Sequence, residues 1–145
     1  MLKKAIFTVV GLLTISLTCS VYAEEFKAKC PVSGAAAKKE SAVDYKGGKV
    51  YFCCDGCPAG FKKDTAKFAA KANHQLVVTG QAKQEKCPLT GGKLNPATVT
   101  EVGGVKVCFC CDNCKGKVAK ASADEQVKLV FGDEAFAKAF KVGSK

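Results

Sequence analysis

The hydrophobic pattern along the chain changes period several times, and each change marks an element. Lys3 and Lys4 precede an apolar run from Ala5 to Leu17 that is interrupted by Thr8, Thr14 and Ser16, and Val21-Tyr22-Ala23 ends it with a site suited to a signal peptidase. This predicts a cleaved export signal over residues 1–23, because the run is short for a membrane span. Cys19 leaves with it, since Ser16-Leu17-Thr18 is a poor leader for a lipidated cysteine. No later apolar run is long enough to cross a bilayer, so no stable membrane insertion is expected after cleavage.

Period-two alternation follows. Ser41 to Tyr45 and Lys49 to Cys53 flank Gly47-Gly48, and Ala97 to Val102 and Val105 to Cys110 flank Gly103-Gly104. Each pair predicts a β-hairpin with a glycine-permitted turn. After the first hairpin the period becomes helical: Phe61, Thr65, Phe68, Ala69 and Ala72 share one face, with lysines 62, 63, 67 and 71 on the other. Asp55 and Asp112 are placed to N-cap a helix after each hairpin, and Pro58 suits a first turn. In the second half Ala123 to Gly132 is inserted before Asp133 to Phe140, which reads as the counterpart of Thr65 to Ala72. Gln75 to Thr79 and Val127 to Phe131 suggest one further strand each.

Removal of residues 1–23 would leave 122 of the 145 residues; with Lys3 and Lys4 gone, 21 basic residues stand against 13 acidic ones, a net +8. Nucleic-acid binding is one reading of that balance. It fits poorly with export, with the absence of arginine, and with aromatics spent on apolar positions. Solvated lysine faces, together with lysines offsetting an anionic thiolate cluster, account for it better.

The candidate chemistry lies in cysteine. Cys30-Pro31-Val32-Ser33-Gly34 is followed by Phe52-Cys53-Cys54-Asp55-Gly56-Cys57, and Cys87-Pro88-Leu89-Thr90-Gly91 by Phe109-Cys110-Cys111-Asp112-Asn113-Cys114. In both copies 22 residues separate the first cysteine from the second and 3 separate the second from the last. The repeat divides the chain into modules at 24–80 and 81–145, joined at residues 80–84. Each is near the size at which a hydrophobic core alone is marginal. The layout puts Cys30 on a turn, Cys53 at a strand end, Cys54 at the strand–helix junction and Cys57 in the first helical turn, and a hairpin followed by a helix can bring them over one point. Thiolate sulfur suits Cu(I) and Zn(II), and four cysteines are typical of structural zinc. A helix N-terminus favours thiolate, which predicts Cys57 and Cys114 as the most readily ionised.

On these motifs each half resembles the TRASH domain, a treble-clef-like zinc-ribbon relative close to the YHS domain and associated with heavy-metal sensing, trafficking and resistance. The resemblance covers most of residues 28–72 and 85–120. It implies two tandem treble-clef-like α+β modules, each a knuckle, hairpin and helix, with metal bound by Cys30, Cys53 and Cys57 and by Cys87, Cys110 and Cys114. The vicinal Cys54 and Cys111 are added to the family pattern, as a fourth ligand or pointing away. Cys108 replaces Tyr51 in the second copy, either as an extra sulfur on the metal side or as a small buried hydrophobe.

A disulfide framework is the main rival, since export implies an oxidising compartment. Nine cysteines after cleavage cannot all pair internally, and adjacent cysteines resist separate bridges. Thioredoxin-like Cys54-x-x-Cys57 and Cys111-x-x-Cys114 chemistry lacks the surrounding βαβ pattern. His74, the only histidine, reads as a residue just past the first helix rather than a ligand, and no nucleophile–base pair or phosphate loop stands out. The expectation is an exported, periplasmic or secreted, non-catalytic protein. It would sequester or transfer two thiophilic ions, Cu(I) or Zn(II), in exchange with an envelope metal transporter or acceptor and without nucleic acid. The alternative is structural zinc in an interaction scaffold.

Overall fold

The computed structural model describes residues 26–143; the expected export signal over residues 1–23, with Cys19, lies outside the described residues. It is a mixed α+β structure with five helices and three two-stranded antiparallel sheets among these residues.

Each copy contributes a hairpin: β1 (Lys38–Tyr45) with β2 (Gly48–Phe52), and β4 (Asn95–Val102) with β5 (Val105–Phe109). The alternation expected from sequence places Val50, Phe52, Val107 and Phe109 on the buried face. The two hairpins break register at equivalent points, between Lys38 and Ala42 and between Asn95 and Val99. Their two-residue turns have both φ values positive, 51° and 83° at Lys46-Gly47 and 58° and 82° at Gly103-Gly104, as a type I′ turn requires. The first turn therefore lies one residue before the expected Gly47-Gly48. Gly48 instead pairs with Tyr45, and a Cβ there would meet Leu76 Cδ2 at 2.8 Å.

The helical stripe after the first hairpin is split. Helix α1 (Cys57–Lys63) ends at Asp64, whose backbone (φ −143°, ψ 67°) is not helical and whose carboxylate accepts from Lys67 N at 3.2 Å to start α2 (Thr65–Val78). Phe61, Ala69 and Ala72 are buried and lysines 62, 63, 67 and 71 exposed, as the stripe required. No strand forms at Gln75 to Thr79: Leu76 extends the stripe of Ala69 and Ala72, and the helix runs on through it, with His74 inside rather than past its end. Helix α3 (Asp112–Ala119) follows the second hairpin. The strand expected at Val127 to Phe131 is also helical, in α4 (Ala123–Phe131), where Glu125 accepts from the Ser122 amide at 3.1 Å and its hydroxyl at 2.9 Å. Helix α5 (Asp133–Ala139) stops one residue short of the expected segment, because Phe140 opens a strand.

The connector at 80–84 carries structure of its own. Strand β3 (Ala82–Gln84) pairs with β6 (Phe140–Val142), joining the start of the second half to the end of the described chain. Both halves share one core, with Val50, Phe52, Phe61 and Leu76 from the first and Phe109, Val118, Phe131 and Phe136 from the second. Polar contacts fasten the halves together. Asn73 Nδ2 donates to Phe131 O at 2.9 Å and to Asp133 Oδ1 at 3.0 Å, and Lys46 pairs with the same carboxylate.

Candidate metal centre

Each centre starts from a knuckle whose backbone closes on its first cysteine. Cys30 N donates to Ala35 O at 2.8 Å and Gly34 N to Cys30 O at 2.8 Å; the second copy repeats this with Cys87 N to Gly92 O at 3.0 Å and Gly91 N to Cys87 O at 2.7 Å. Gly34 and Gly91 sit at φ 78° and 73°, conformations that glycine adopts without penalty. Proline at the following position presets the bend.

The hairpin end and the helix start bring the other thiols to the knuckle. Cys30, Cys53 and Cys57 form one group and Cys87, Cys110 and Cys114 the other, with the sulfurs of each within 4.8 Å of one another. Cys53 and Cys57 sulfurs are 3.6 Å apart, and Cys110 and Cys114 sulfurs 3.7 Å. Two sulfurs bound to one ion at about 2.3 Å, with trigonal or tetrahedral angles, stand about 3.8–4.0 Å apart, so the trios suit a thiophilic ion with little movement. All nine described cysteines are free thiols.

The vicinal cysteines stand beside the trios rather than within them. Cys54 is exposed, with its sulfur 3.4 Å from Cys57 Sγ; Cys111 is half-buried, 3.7 Å from Cys110 Sγ. Cys108 is turned to the hairpin backbone and donates to Asn95 O at 3.0 Å. Strand β5 ends at Phe109, so the strand alternation that would put Cys108 and Cys110 on one side does not reach Cys110.

The expected aspartate caps are absent. Gly56 is the N-cap of α1 and Cys111 that of α3, where Cys111 O accepts from Lys115 N at 3.2 Å; Asp112 occupies the first helical position instead. An acid there still complements the helix dipole.

The expected order of ionisation is reversed. Burial raises the Cys30 thiol, but the Ser33 hydroxyl and amide and the amides of Cys53 and Val32 outweigh it and bring the group down to about 6. Cys87 is likewise opposed by burial, yet Thr90, Cys110 and Leu89 hold it at about 7. Hydrogen bonding to Cys54 and Cys53, and then burial, push Cys57 well above the usual thiol range. Burial, then Cys110 and Cys111, push Cys114 up to about 12. The knuckle amides collect the negative charge, and the helix cysteines keep the protons that their neighbours accept.

Two sets of supporting residues were not foreseen. Ser33 Oγ lies 3.1 Å from Cys53 Sγ and accepts from Ala35 N; Thr90 Oγ1 lies 3.3 Å from Cys110 Sγ and accepts from Gly92 N. With the oxygen held by a backbone amide, the hydroxyl hydrogen is available to the sulfur. The retained Ser/Thr in the repeated Cys-Pro-x-(Ser/Thr)-Gly turn was the signal for it.

The second set is a pair of glutamine clamps. Gln75 accepts from Tyr51 N at 2.7 Å and donates to Tyr51 O at 2.7 Å and Lys29 O at 2.8 Å, bridging the strand before Cys53 to the residue before Cys30. Gln84 accepts from Cys108 N at 2.9 Å and donates to Cys108 O at 2.6 Å and Lys86 O at 3.0 Å, bridging the equivalent points. One clamp comes from α2 and the other from β3.

Compared with protein-family models, with curated proteins and with solved structures, the chain matches none. No helix among the described residues is long and apolar enough to cross a membrane.

Proposed function

We propose that this protein is an exported, non-catalytic carrier that sequesters or transfers a thiophilic cation, one ion at each three-cysteine centre. The observation that carries this reading is the pair of sulfur trios, built twice with the same spacing and with sulfur separations suited to a shared ion. Cys30, Cys53 and Cys57 hold the first ion, and Cys87, Cys110 and Cys114 the second.

Three thiolates favour Cu(I) over Zn(II), because structural zinc takes four ligands whereas soft thiolate sets select Cu(I). The charged and apolar start of the chain supports export, with the periplasm or the exterior as destination and an envelope metal transporter or acceptor protein as partner. The resemblance of both halves to TRASH and YHS domains points the same way.

The test is anaerobic titration of the reduced protein with Cu(I), and separately with Zn(II), against a chromogenic competitor. The reading expects close to two Cu(I) per chain, and one after Cys30→Ser or Cys87→Ser. Binding of neither ion at a defined stoichiometry would overturn it. Tight Zn(II) whose removal unfolds the chain would instead favour structural modules.

A further inference from the structure

The two centres differ in how their sulfurs meet solvent. In the first, Cys30 is buried, Cys53 and Cys57 are half-buried, and the exposed Cys54 touches Cys57 at 3.4 Å. In the second, Cys87 and Cys114 are both buried, and the vicinal Cys111, which touches Cys110 at 3.7 Å and also hydrogen-bonds with Cys114, is itself only half-exposed. The helix cysteine is thus within reach of an exposed fourth thiol in the first centre and enclosed in the second.

Resting on the carrier reading above, we infer that Cys54 is an exchange thiol and that the first centre passes its ion on while the second retains it. An ion held by buried sulfurs leaves only if an incoming thiolate can form a bond before an old one is lost. Cys54 lies at the rim and beside Cys57, so it can serve that step from within the chain. Its thiolate forms a bond to the ion as the Cys57–metal bond breaks, and Cys57 takes up the proton that Cys54 has released. No electron is transferred, and the ion stays Cu(I). The ion then rests partly on an exposed sulfur that a thiol-bearing acceptor can approach and displace by the same kind of step. In the second centre Cys111 also reaches Cys114, but Cys111 is half-buried and Cys114 enclosed, so the same shift leaves the ion on no exposed sulfur.

The experiment is stopped-flow release of Cu(I) from the full-length protein, loaded with two equivalents, to excess bicinchoninate. The wild-type chain should release copper in two phases of equal amplitude. Cys54→Ser should keep two Cu(I) per chain and the same competition equilibrium, while its fast phase slows about tenfold; Cys111→Ser should leave the fast phase unchanged. Alkylation of the loaded protein with iodoacetamide, mapped by mass spectrometry, should label Cys54 and spare Cys30, Cys53 and Cys57. Loss of one equivalent in Cys54→Ser would make Cys54 a resident ligand and overturn the inference. An unchanged fast phase, or one slowed by Cys111→Ser alone, would overturn it as well. These results leave two-ion binding by the wild type intact, whereas failure of the wild type to bind copper would remove the carrier reading together with this one.

Discussion

His74 Nε2 stands 2.9 Å from the carbonyl oxygen of Gly103, joining the long helix of the first half to the hairpin tip of the second. The same imidazole packs against Phe131, with ring centroids 4.9 Å apart. Burial lowers the His74 pKa from 6.5; the Gly103 carbonyl opposes that shift and the Lys29 charge adds to it. The unfolded chain therefore takes up a proton at a higher pH than the folded one. Stability due to the neutral imidazole is complete above 6.5 and is lost as the pH falls below it, down through the lowered value of the folded state. Thermal melts across about pH 7.5 to 5.5 should fall more steeply for the wild type than for His74→Gln. Equal slopes would show that this histidine is not held neutral.

The turn at Gly103-Gly104 gives a second, graded test. A Cβ at Gly104 would meet nothing within 4 Å, so Gly104→Ala carries only the left-handed backbone cost, about 1–2 kcal/mol. A Cβ at Gly103 would stand 2.6 Å from His74 Nε2 as well, so Gly103→Ala should cost more. Urea denaturation reads the order directly, and a Gly104→Ala loss as large as that of Gly103→Ala would contradict it.

Much of this arrangement was legible from local signals. Alternation around the paired glycines located both hairpins, since Val50, Phe52, Val107 and Phe109 face the core, and the repeated cysteine spacing identified the residues of both trios. What was not legible depends on contacts distant in sequence or on competing local preferences. Gln75 to Thr79 and Val127 to Phe131 are rich in strand-forming residues. Leu76 nevertheless completes a helical stripe, and Ser122 with Glu125 starts a helix ahead of Val127. Strands β3 and β6 are three residues each, and neither has a pattern until it meets the other. Gln75 and Gln84 occupy non-equivalent positions in the repeat, so comparing the two copies hides their shared role.

That shared role predicts separable damage. Gln75→Leu would leave the Tyr51 amide and carbonyl and the Lys29 carbonyl without their partner, at a cost of about 2–4 kcal/mol in stability. Gln84→Leu would do the same to Cys108 and Lys86. In the metal-free protein, Gln75→Leu should speed alkylation of Cys30 and spare Cys87, and Gln84→Leu should do the reverse. Equal acceleration at both cysteines would mean that the clamps act on the whole fold rather than on their own centres.

The knuckle hydroxyls should act on affinity rather than stoichiometry. Ser33→Ala and Thr90→Val remove the hydroxyl beside Cys53 and Cys110, and outer groups of this kind change metal affinity by about tenfold. Competition titration should show one weakened site in each variant with two Cu(I) still bound, and Thr90→Ser should restore the wild-type value. An unchanged affinity in both would show that these hydroxyls serve the turn alone.

X-ray absorption at the copper edge of the full chain loaded with two equivalents of Cu(I) tests the central claim most directly. Two trios, Cys30-Cys53-Cys57 and Cys87-Cys110-Cys114, predict three sulfur neighbours per copper and no nitrogen or oxygen in the coordination shell. Copper coordinated mainly by nitrogen or oxygen, or retained at less than one ion per chain, would contradict it.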